Sequence, residues 1–240
     1  MERIFTGSDV VGEIVAAYPG ATNLFAQYKI DFCCGGNRSL SSALQQKKID
    51  EASFLTALNA AYQNAHREDH GTDWRVAPYP ELIDHIVTKH HGYLLTELPL
   101  LSEFVTKVMR VHGPEHPELA RLHHLFHQFK MELETHMMEE EQLVFPKIIE
   151  YAESGSQDVL KKAADMIEKL EAEHRAAGEL LREMREVTQD YQLPPGACRT
   201  YTVTFQKLAE LEADMFQHVH LENNIMFPRV IQEAGGTCGC

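Results

Sequence analysis

The feature that most constrains this chain is a stretch that occurs twice. Residues 136–146 are HMMEEEQLVFP, and residues 218–228 are HVHLENNIMFP. Each stretch has a His, three residues, a Glu, three more residues, an apolar residue, and then Phe-Pro. His and Glu four residues apart lie on one face of an α-helix. Because apolar residues continue that face in both directions, the chain is expected to bury two carboxylates in a helical core.

Helical periodicity extends well beyond the repeat. Four long segments with a 3.6-residue apolar stripe are predicted, at about 81–111, 117–151, 157–190 and 197–233. The segments between them, HGPEHP, ESGSQ and LPPGA, are strong helix stops. Long helices with short connections predict an up-down-up-down four-helix bundle.

The residues before the bundle have a different pattern. Residues 8–64 contain shorter helical stripes, with helix starts expected near Ser39 and Asp50. Residues 68–79 contain Gly and Pro without periodicity and are predicted to be a linker. The predicted fold is therefore all-α. It comprises a small helical N-terminal domain (1–67), the linker (68–79), the bundle (80–234) and a tail (235–240).

Composition excludes several classes of function. The 240-residue chain has a formal net charge of −14 and lacks a basic stripe, which argues against binding to nucleic acid or to an anionic membrane. No apolar run is long enough to span a bilayer, and the first residues lack the form of a signal peptide. Five cysteines, two of them adjacent, do not resemble a disulfide framework, so a reducing cytoplasm is expected.

Two further bundle helices carry a histidine on the apolar stripe. In the third helix, the stripe through Leu170 continues at His174. In the first helix, His91 follows Val87 on the stripe, although His90 also fits. Periodicity favours His91 and leaves His90 open.

The spacing of the histidines tests whether they meet. In antiparallel helices, residues equidistant from a turn lie at equal height. Three midpoints can be taken, one between each histidine and the next in the series His91, His136, His174 and His218. Each midpoint falls inside one of the three predicted turns. The four rings are therefore expected at one level of the core, with the two Glu residues one helical turn, roughly 6 Å, away.

A metal site explains this convergence better than a structural role. A single buried His or Glu is commonly a hydrogen-bonded structural residue. Two buried carboxylates without Lys or Arg on their stripes, however, each cost several kcal/mol unless a cation compensates them. Four imidazoles and two carboxylates suit a two-metal site with two His per ion and both Glu able to bridge. A site without thiolate favours iron or manganese over structural zinc, although affinity order alone favours zinc.

Four motifs together resemble one known family, the iron–sulfur cluster repair di-iron proteins. These are DFCCGGN, DWRVAP, HMMEEEQLVFP and LENNIMFPR, and the resemblance covers nearly the whole chain. It implies a hemerythrin-like bundle with two non-haem iron ions, bridged by both Glu residues and an oxo or hydroxo group. It also decides for His91 over His90. The ligands that it implies are His91, His136, Glu140, His174, His218 and Glu222.

The resemblance also implies a role in the stress response. The family restores iron–sulfur clusters damaged by nitrosative and oxidative stress, by supplying iron to damaged proteins or to a cluster scaffold. Reduction of nitric oxide at the di-iron centre is an alternative, and so is binding or sensing of oxygen or iron without turnover, which leaves enzymatic activity open. A homodimer is a further open expectation.

The cysteines remain ambiguous. Cys33 and Cys34 are predicted either to hand on iron or sense redox state, or to be buried structurally beside Gly35-Gly36. An oxygen carrier needs no thiol pair, so the pair favours the repair function. The GGTCGC tail with Cys238 and Cys240 matches none of the family motifs and is expected to be frayed rather than a metal-transfer pair.

Overall fold

The computed structural model describes residues 4–18, 20–33, 35–65 and 72–235. Helices account for nearly all of the regular structure in these residues, which contain no β-strand, so the predicted all-α fold is confirmed. The chain divides into a larger compact unit, Ile83–Met215, and a smaller one that combines residues 1–82 with residues 216–240. None of the described helices has the length and the low charge needed to cross a bilayer.

The N-terminal residues form four short helices around an apolar core. The expected N-caps are confirmed, because Ser39 Oγ accepts from Ser42 N at 3.3 Å and Asp50 Oδ2 accepts from Ser53 N at 2.9 Å. Phe25, Phe32 and other aromatic residues fill the core. The helices are α1 (Val11–Ala17), α2 (Ala21–Gln27), α3 (Leu40–Lys47) and α4 (Glu51–Ala65).

The four long helical segments are present, but three of them are not uniform α-helices. The first is α5 (Tyr79–His85), π1 (Ile86–His91) and α6 (Gly92–His112). The second is α7 (Glu118–Glu139), π2 (Glu140–Val144) and α8 (Phe145–Ser154). The third is α9 (Gln157–Val187), and the fourth is α10 (Arg199–Leu221), π3 (Glu222–Met226) and α11 (Phe227–Glu233).

The π segments correct the expectation of continuous α-helix. In π2 and π3 the amide of Phe145 donates to Glu140 O and that of Phe227 to Glu222 O, five residues back instead of four. The following residue in each case is a proline, which has no N–H for an α-helical bond. The wider π turn directly before Phe-Pro tolerates a residue without an N–H. This explains why Phe-Pro and a π segment occur together in both repeats.

The third segment also ends earlier than predicted. Helix α9 stops at Val187 rather than near residue 190, because Gln189, Asp190 and Tyr191 all have positive φ angles of 51° to 61°. Left-handed residues cannot continue a right-handed helix. Thr188 Oγ1 accepts from the Tyr191 amide at 3.1 Å and so stabilises this turn.

The compact units do not coincide with the predicted domains. The boundary between them falls within α5 and within α10, and residues after Phe216 cluster with the N-terminal residues. In the smaller unit, Gln217 Nε2 donates to Thr22 Oγ1 at 3.2 Å. Arg229 donates to the backbone oxygens of Trp74 and Ala77. The predicted domain boundaries therefore stay a prediction.

Candidate metal centre

Glu140 is fully buried in the larger unit and contacts two imidazoles. Its Oε2 lies 3.4 Å from Nε2 of His91, and its Oε1 lies 3.2 Å from Nε2 of His136. His91 is the last residue of π1, whereas His136 lies in the last turn of α7, so the two rings come from different long helices. One carboxylate thus has a ring nitrogen at each of its oxygens.

His174 of α9 joins this cluster through His136. The two Nε2 atoms are 2.8 Å apart, a distance at which both nitrogens cannot carry protons. One ligand atom from each of His136, Glu140 and His174 lies within 4.8 Å of the other two. Such spacing suits donors around a shared cation, because each metal–ligand bond is about 2 Å long.

The second half of the repeat has the same local geometry in the smaller unit. His218 and Glu222 are both fully buried, and His218 Nε2 lies 3.1 Å from Glu222 Oε1. The corresponding His136–Glu140 distance is 3.2 Å. Each Glu is also the first residue of a π segment. The two repeats are therefore alike in spacing, burial and backbone geometry.

The surroundings of Glu140 differ from those of another buried carboxylate in the larger unit. Burial raises the pKa of Glu212, and the Arg185 guanidinium opposes this rise through bonds of 2.6 and 2.7 Å. Glu212 is thus a carboxylate with its own cation, as expected of a structural ion pair. Glu140 instead has imidazoles at its oxygens, a donor set suited to a metal.

Two further carboxylates orient the rings from outside. His91 Nδ1 lies 2.7 Å from Glu141 Oε1, and His136 Nδ1 lies 2.8 Å from Glu173 Oε2. An Nδ1–H that donates to a carboxylate leaves the lone pair on Nε2, the atom that faces Glu140. This carboxylate–histidine arrangement is typical of metal ligands and raises their basicity.

The described residues of DFCCGGN (31–37), here called the thiol segment, lie in the smaller unit. Cys33 is buried, and both its amide and its Sγ donate to Asp31 Oδ1, at 3.0 and 3.2 Å. The Gly35 amide donates to Asp31 Oδ2 at 3.1 Å, so one carboxylate organises the turn. Cys34, Cys238 and Cys240 lie outside the described residues.

His220 is a second buried histidine of the smaller unit. Burial lowers the pKa of its ring to about 4, and a hydrogen bond with the Phe32 backbone partly opposes this shift. The ring is therefore neutral at physiological pH. It also packs edge-on against the Phe32 ring, with centroids 6.1 Å apart.

Comparisons with known proteins agree with this geometry. The Hemerythrin HHE cation binding domain matches residues 82–230, and ScdA_N, a domain of unknown function, matches residues 7–62. The iron-sulfur cluster repair protein ScdA of Staphylococcus haemolyticus is 35% identical over 93% of this chain and 98% of its own. The iron-sulfur cluster repair protein YtfE of Citrobacter koseri is 37% identical over 92% and 96%.

The chain belongs to the iron–sulfur cluster repair protein family. The predicted resemblance is thus confirmed. Its hemerythrin-like domain and its buried His and Glu residues fit non-haem di-iron binding. All six predicted ligands fall within the matched residues 82–230. The structure brings His91, His136, Glu140 and His174 together in the larger unit, and His218 and Glu222 together in the smaller one.

His90, the alternative on the first helix, lies elsewhere in the larger unit. Its ring is buried, and Nδ1 lies 2.9 Å from Asp214 Oδ1 of α10. His91 Nε2 faces Glu140, whereas the His90 ring packs edge-on against His85, with centroids 5.8 Å apart. The two adjacent histidines therefore have different partners.

The sequence did not predict the outer carboxylates. Neither Glu141 nor Glu173 lies among the residues that the repeat, the apolar stripes and the midpoint spacing point to. Each is adjacent in sequence to a predicted ligand, Glu141 following Glu140 and Glu173 preceding His174. That adjacency is a weak signal, because the histidine that each one orients lies on a different helix.

Loss of an outer carboxylate is expected to weaken iron binding in this repair protein. In Glu141→Ala the His91 ring loses the acceptor at Nδ1, so its Nε2 becomes less basic and less well oriented. The expected result is roughly a tenfold to hundredfold loss of iron affinity, measured by competition with a chelator.

Glu139→Ala is the matched control for this measurement. Glu139 lies two residues from Glu141 and forms an ion pair with Lys169 instead of orienting a ring. The control variant should keep wild-type affinity. Equal affinities for all three proteins would contradict the orienting role of Glu141.

Proposed function

We propose that this protein is a non-haem di-iron protein that repairs damaged iron–sulfur clusters by supplying iron. The observation that carries the proposal is the doubled pair, a buried His with a buried Glu at the start of a π segment, found at His136–Glu140 and again at His218–Glu222. Relatives that match 93% and 92% of this chain are named iron-sulfur cluster repair proteins, which supports the same function here.

The proposed site holds two iron ions, each with two imidazoles, and the two carboxylates shared between them. Helix register supports placing all six residues in one site. The turn between each histidine and the next lies midway between the two, which puts the four histidines at equal height in antiparallel helices. The family domain named for cation binding also spans all of them. The ligands are His91, His136, Glu140, His174, His218 and Glu222.

This chain contributes electrostatics and orientation. Two negative charges in an apolar core attract dications strongly and discriminate against neutral binding partners. Glu141 and Glu173 hold the rings of His91 and His136 with Nε2 directed inward. Bound iron would supply redox chemistry and open positions for small ligands, such as nitric oxide or oxygen. The absence of thiolate from the donor set favours release of iron as well as its capture.

Supplying iron requires an acceptor, and the acceptors are iron–sulfur proteins or the scaffolds on which clusters are built. The family resemblance implies such partners, and the reducing cytoplasm in which they would be met stays a prediction. A homodimer likewise stays a prediction.

The repair function is tested directly by reactivation. A [4Fe–4S] hydro-lyase inactivated by nitric oxide or peroxide is incubated with iron-loaded protein, and recovery of its activity is followed. Iron-free protein and an equal amount of free ferrous iron serve as controls. Recovery no faster than with free iron would contradict the proposal. Consumption of nitric oxide under reductant, measured on the same sample, would instead support turnover at the centre.

The two adjacent thiols are expected to act in repair and not in iron binding. Because Cys33 belongs to the segment around Asp31 and none of the six proposed ligands is a thiol, Cys33→Ser with Cys34→Ser should leave iron per chain unchanged. Reactivation should fall several-fold if the thiols pass iron on. Lost iron would show that they help to form the centre. Unchanged reactivation would show that the segment is structural.

A further inference from the structure

Asn224 occupies a second face of the segment that carries Glu222. Both residues belong to π3, and residues two apart on a helix point to nearly opposite sides. Glu222 contacts His218, whereas the Asn224 side-chain amide donates to two backbone oxygens, Phe32 O at 3.3 Å and Cys33 O at 3.2 Å. One short segment thus holds a proposed iron ligand on one side and the thiol segment on the other.

Two glycines leave a slot for the Asn224 amide. A Cβ added to Gly12 would lie 2.4 Å from Asn224 Oδ1, and one added to Gly36 would lie 2.8 Å from the same atom. The Gly12 amide also donates to Gly36 O at 2.8 Å, which ties α1 to the residues after Cys33. Close approach of backbone on both sides therefore fixes the orientation of this amide.

His220 supports the same contact. It lies four residues before Asn224, on the same helix face. Its ring packs edge-on against the Phe32 ring, with centroids 6.1 Å apart. The stretch HVHLENN therefore contains two interleaved pairs. His218 and Glu222 form the proposed metal pair, while His220 and Asn224 contact the thiol segment.

The first half of the repeat provides an internal comparison. The positions that correspond to His220 and Asn224 are Met138 and Gln142, and both are exposed. The metal pair is thus present twice, whereas the pair that contacts the thiol segment is present once. Duplication of a metal-binding helix alone does not account for His220 and Asn224.

We propose that Asn224 is a positioning residue for Cys33 in cluster repair, and that it fixes the thiol segment against the same turn that presents Glu222. This inference rests on the proposed repair function and adds a residue to it. Two directional N–H···O bonds to consecutive carbonyls hold the Cys33 backbone in one orientation, with its Sγ donating to Asp31.

The test measures how readily Cys33 reacts in the full-length, iron-loaded protein. The alkylation rate of Cys33 by iodoacetamide is read by mass spectrometry of its peptide, with the exposed Cys198 as an internal reference. Asn224→Ala should raise the Cys33 rate roughly tenfold, because two hydrogen bonds that close the segment are lost. Iron per chain should stay at the wild-type value, and reactivation of the damaged enzyme should fall towards the level of Cys33→Ser.

Two further variants make the result specific. Asn224→Asp keeps the shape of the side chain but removes the donor, so it should behave like Asn224→Ala. Gln142→Ala changes the equivalent position of the first repeat and should match wild type in all three measurements. An unchanged Cys198 rate calibrates the reagent, and an unchanged far-ultraviolet circular dichroism spectrum shows in each case that the variant is folded.

The outcomes separate this inference from the proposed function. If Cys33→Ser lowers reactivation but Asn224→Ala changes neither the Cys33 rate nor reactivation, the positioning role is wrong and the repair function stands. If Asn224→Ala raises the Cys33 rate while reactivation stays at the wild-type level in it and in Cys33→Ser, the role of both residues in repair is overturned.

Discussion

Removal of iron is expected to lower the melting temperature of this protein by about 15 °C or more. At a free metal concentration 1,000 times its dissociation constant, one site stabilises the folded chain by about 4 kcal/mol, and two sites by about twice that. For a chain of this size, about 1 kcal/mol corresponds to roughly 2–4 °C. The expected effect is therefore larger than that of most single substitutions.

The structure gives the physical reason. Glu140 and Glu222 are both fully buried, and the iron-free protein must keep them in an apolar core. Imidazoles at 3.1 to 3.4 Å offer hydrogen bonds but compensate the charge only when protonated. A dication compensates it at any pH at which the carboxylates are ionised, so metal binding and folding are coupled.

The measurement is thermal unfolding followed by far-ultraviolet circular dichroism, before and after chelation and again after iron is restored. Elemental analysis of the same samples should give about two irons per loaded chain. Glu140→Gln is the control, since a protein that cannot hold iron should respond little to the chelator. Equal melting temperatures with and without iron would show that the buried carboxylates are compensated by the chain alone.

Local sequence patterns predicted the elements that depend on local physics. The apolar stripes and the Gly-Pro stops gave the four long helices, and the spacing of four residues gave the pairs His136–Glu140 and His218–Glu222. The π segments could not be obtained from the stripes, because one extra residue in a turn barely changes a 3.6-residue pattern. Pro146 and Pro228 were the available signal for π2 and π3, since each removes a donor from the helix, whereas π1 is followed by Gly92 and has no such signal.

Features that depend on contacts distant in sequence were not predictable. Glu173 looks like one more exposed charge until His136 of another helix is found 2.8 Å away. Clustering of residues 216–240 with the N-terminal residues depends on pairs such as Gln217 with Thr22, which no periodicity encodes. Asn224 illustrates the same limit, because its donors meet carbonyls about 190 positions earlier in the chain.

Loss of a shared carboxylate is expected to empty both iron positions. Glu140→Ala should reduce iron from about two per chain to less than about one-half, because in the proposed centre this carboxylate, with a ring nitrogen at each oxygen, is shared by both ions. Glu140→Gln should behave similarly, since it keeps the volume but removes the charge. The comparison separates loss of a ligand from collapse of a cavity.

The histidine pair on the first helix gives the discriminating control. His91→Ala should lower iron content, because His91 Nε2 faces Glu140, whereas His90→Ala should leave it near the wild-type value, because His90 bonds to Asp214. Both rings are buried and each has a carboxylate at Nδ1, so the two substitutions disturb packing to a similar degree. Iron content is measured on each folded variant. If His90→Ala strips the iron and His91→Ala retains it, the ligand on the first helix has been assigned to the wrong histidine, and the resemblance that chose His91 does not hold at that position.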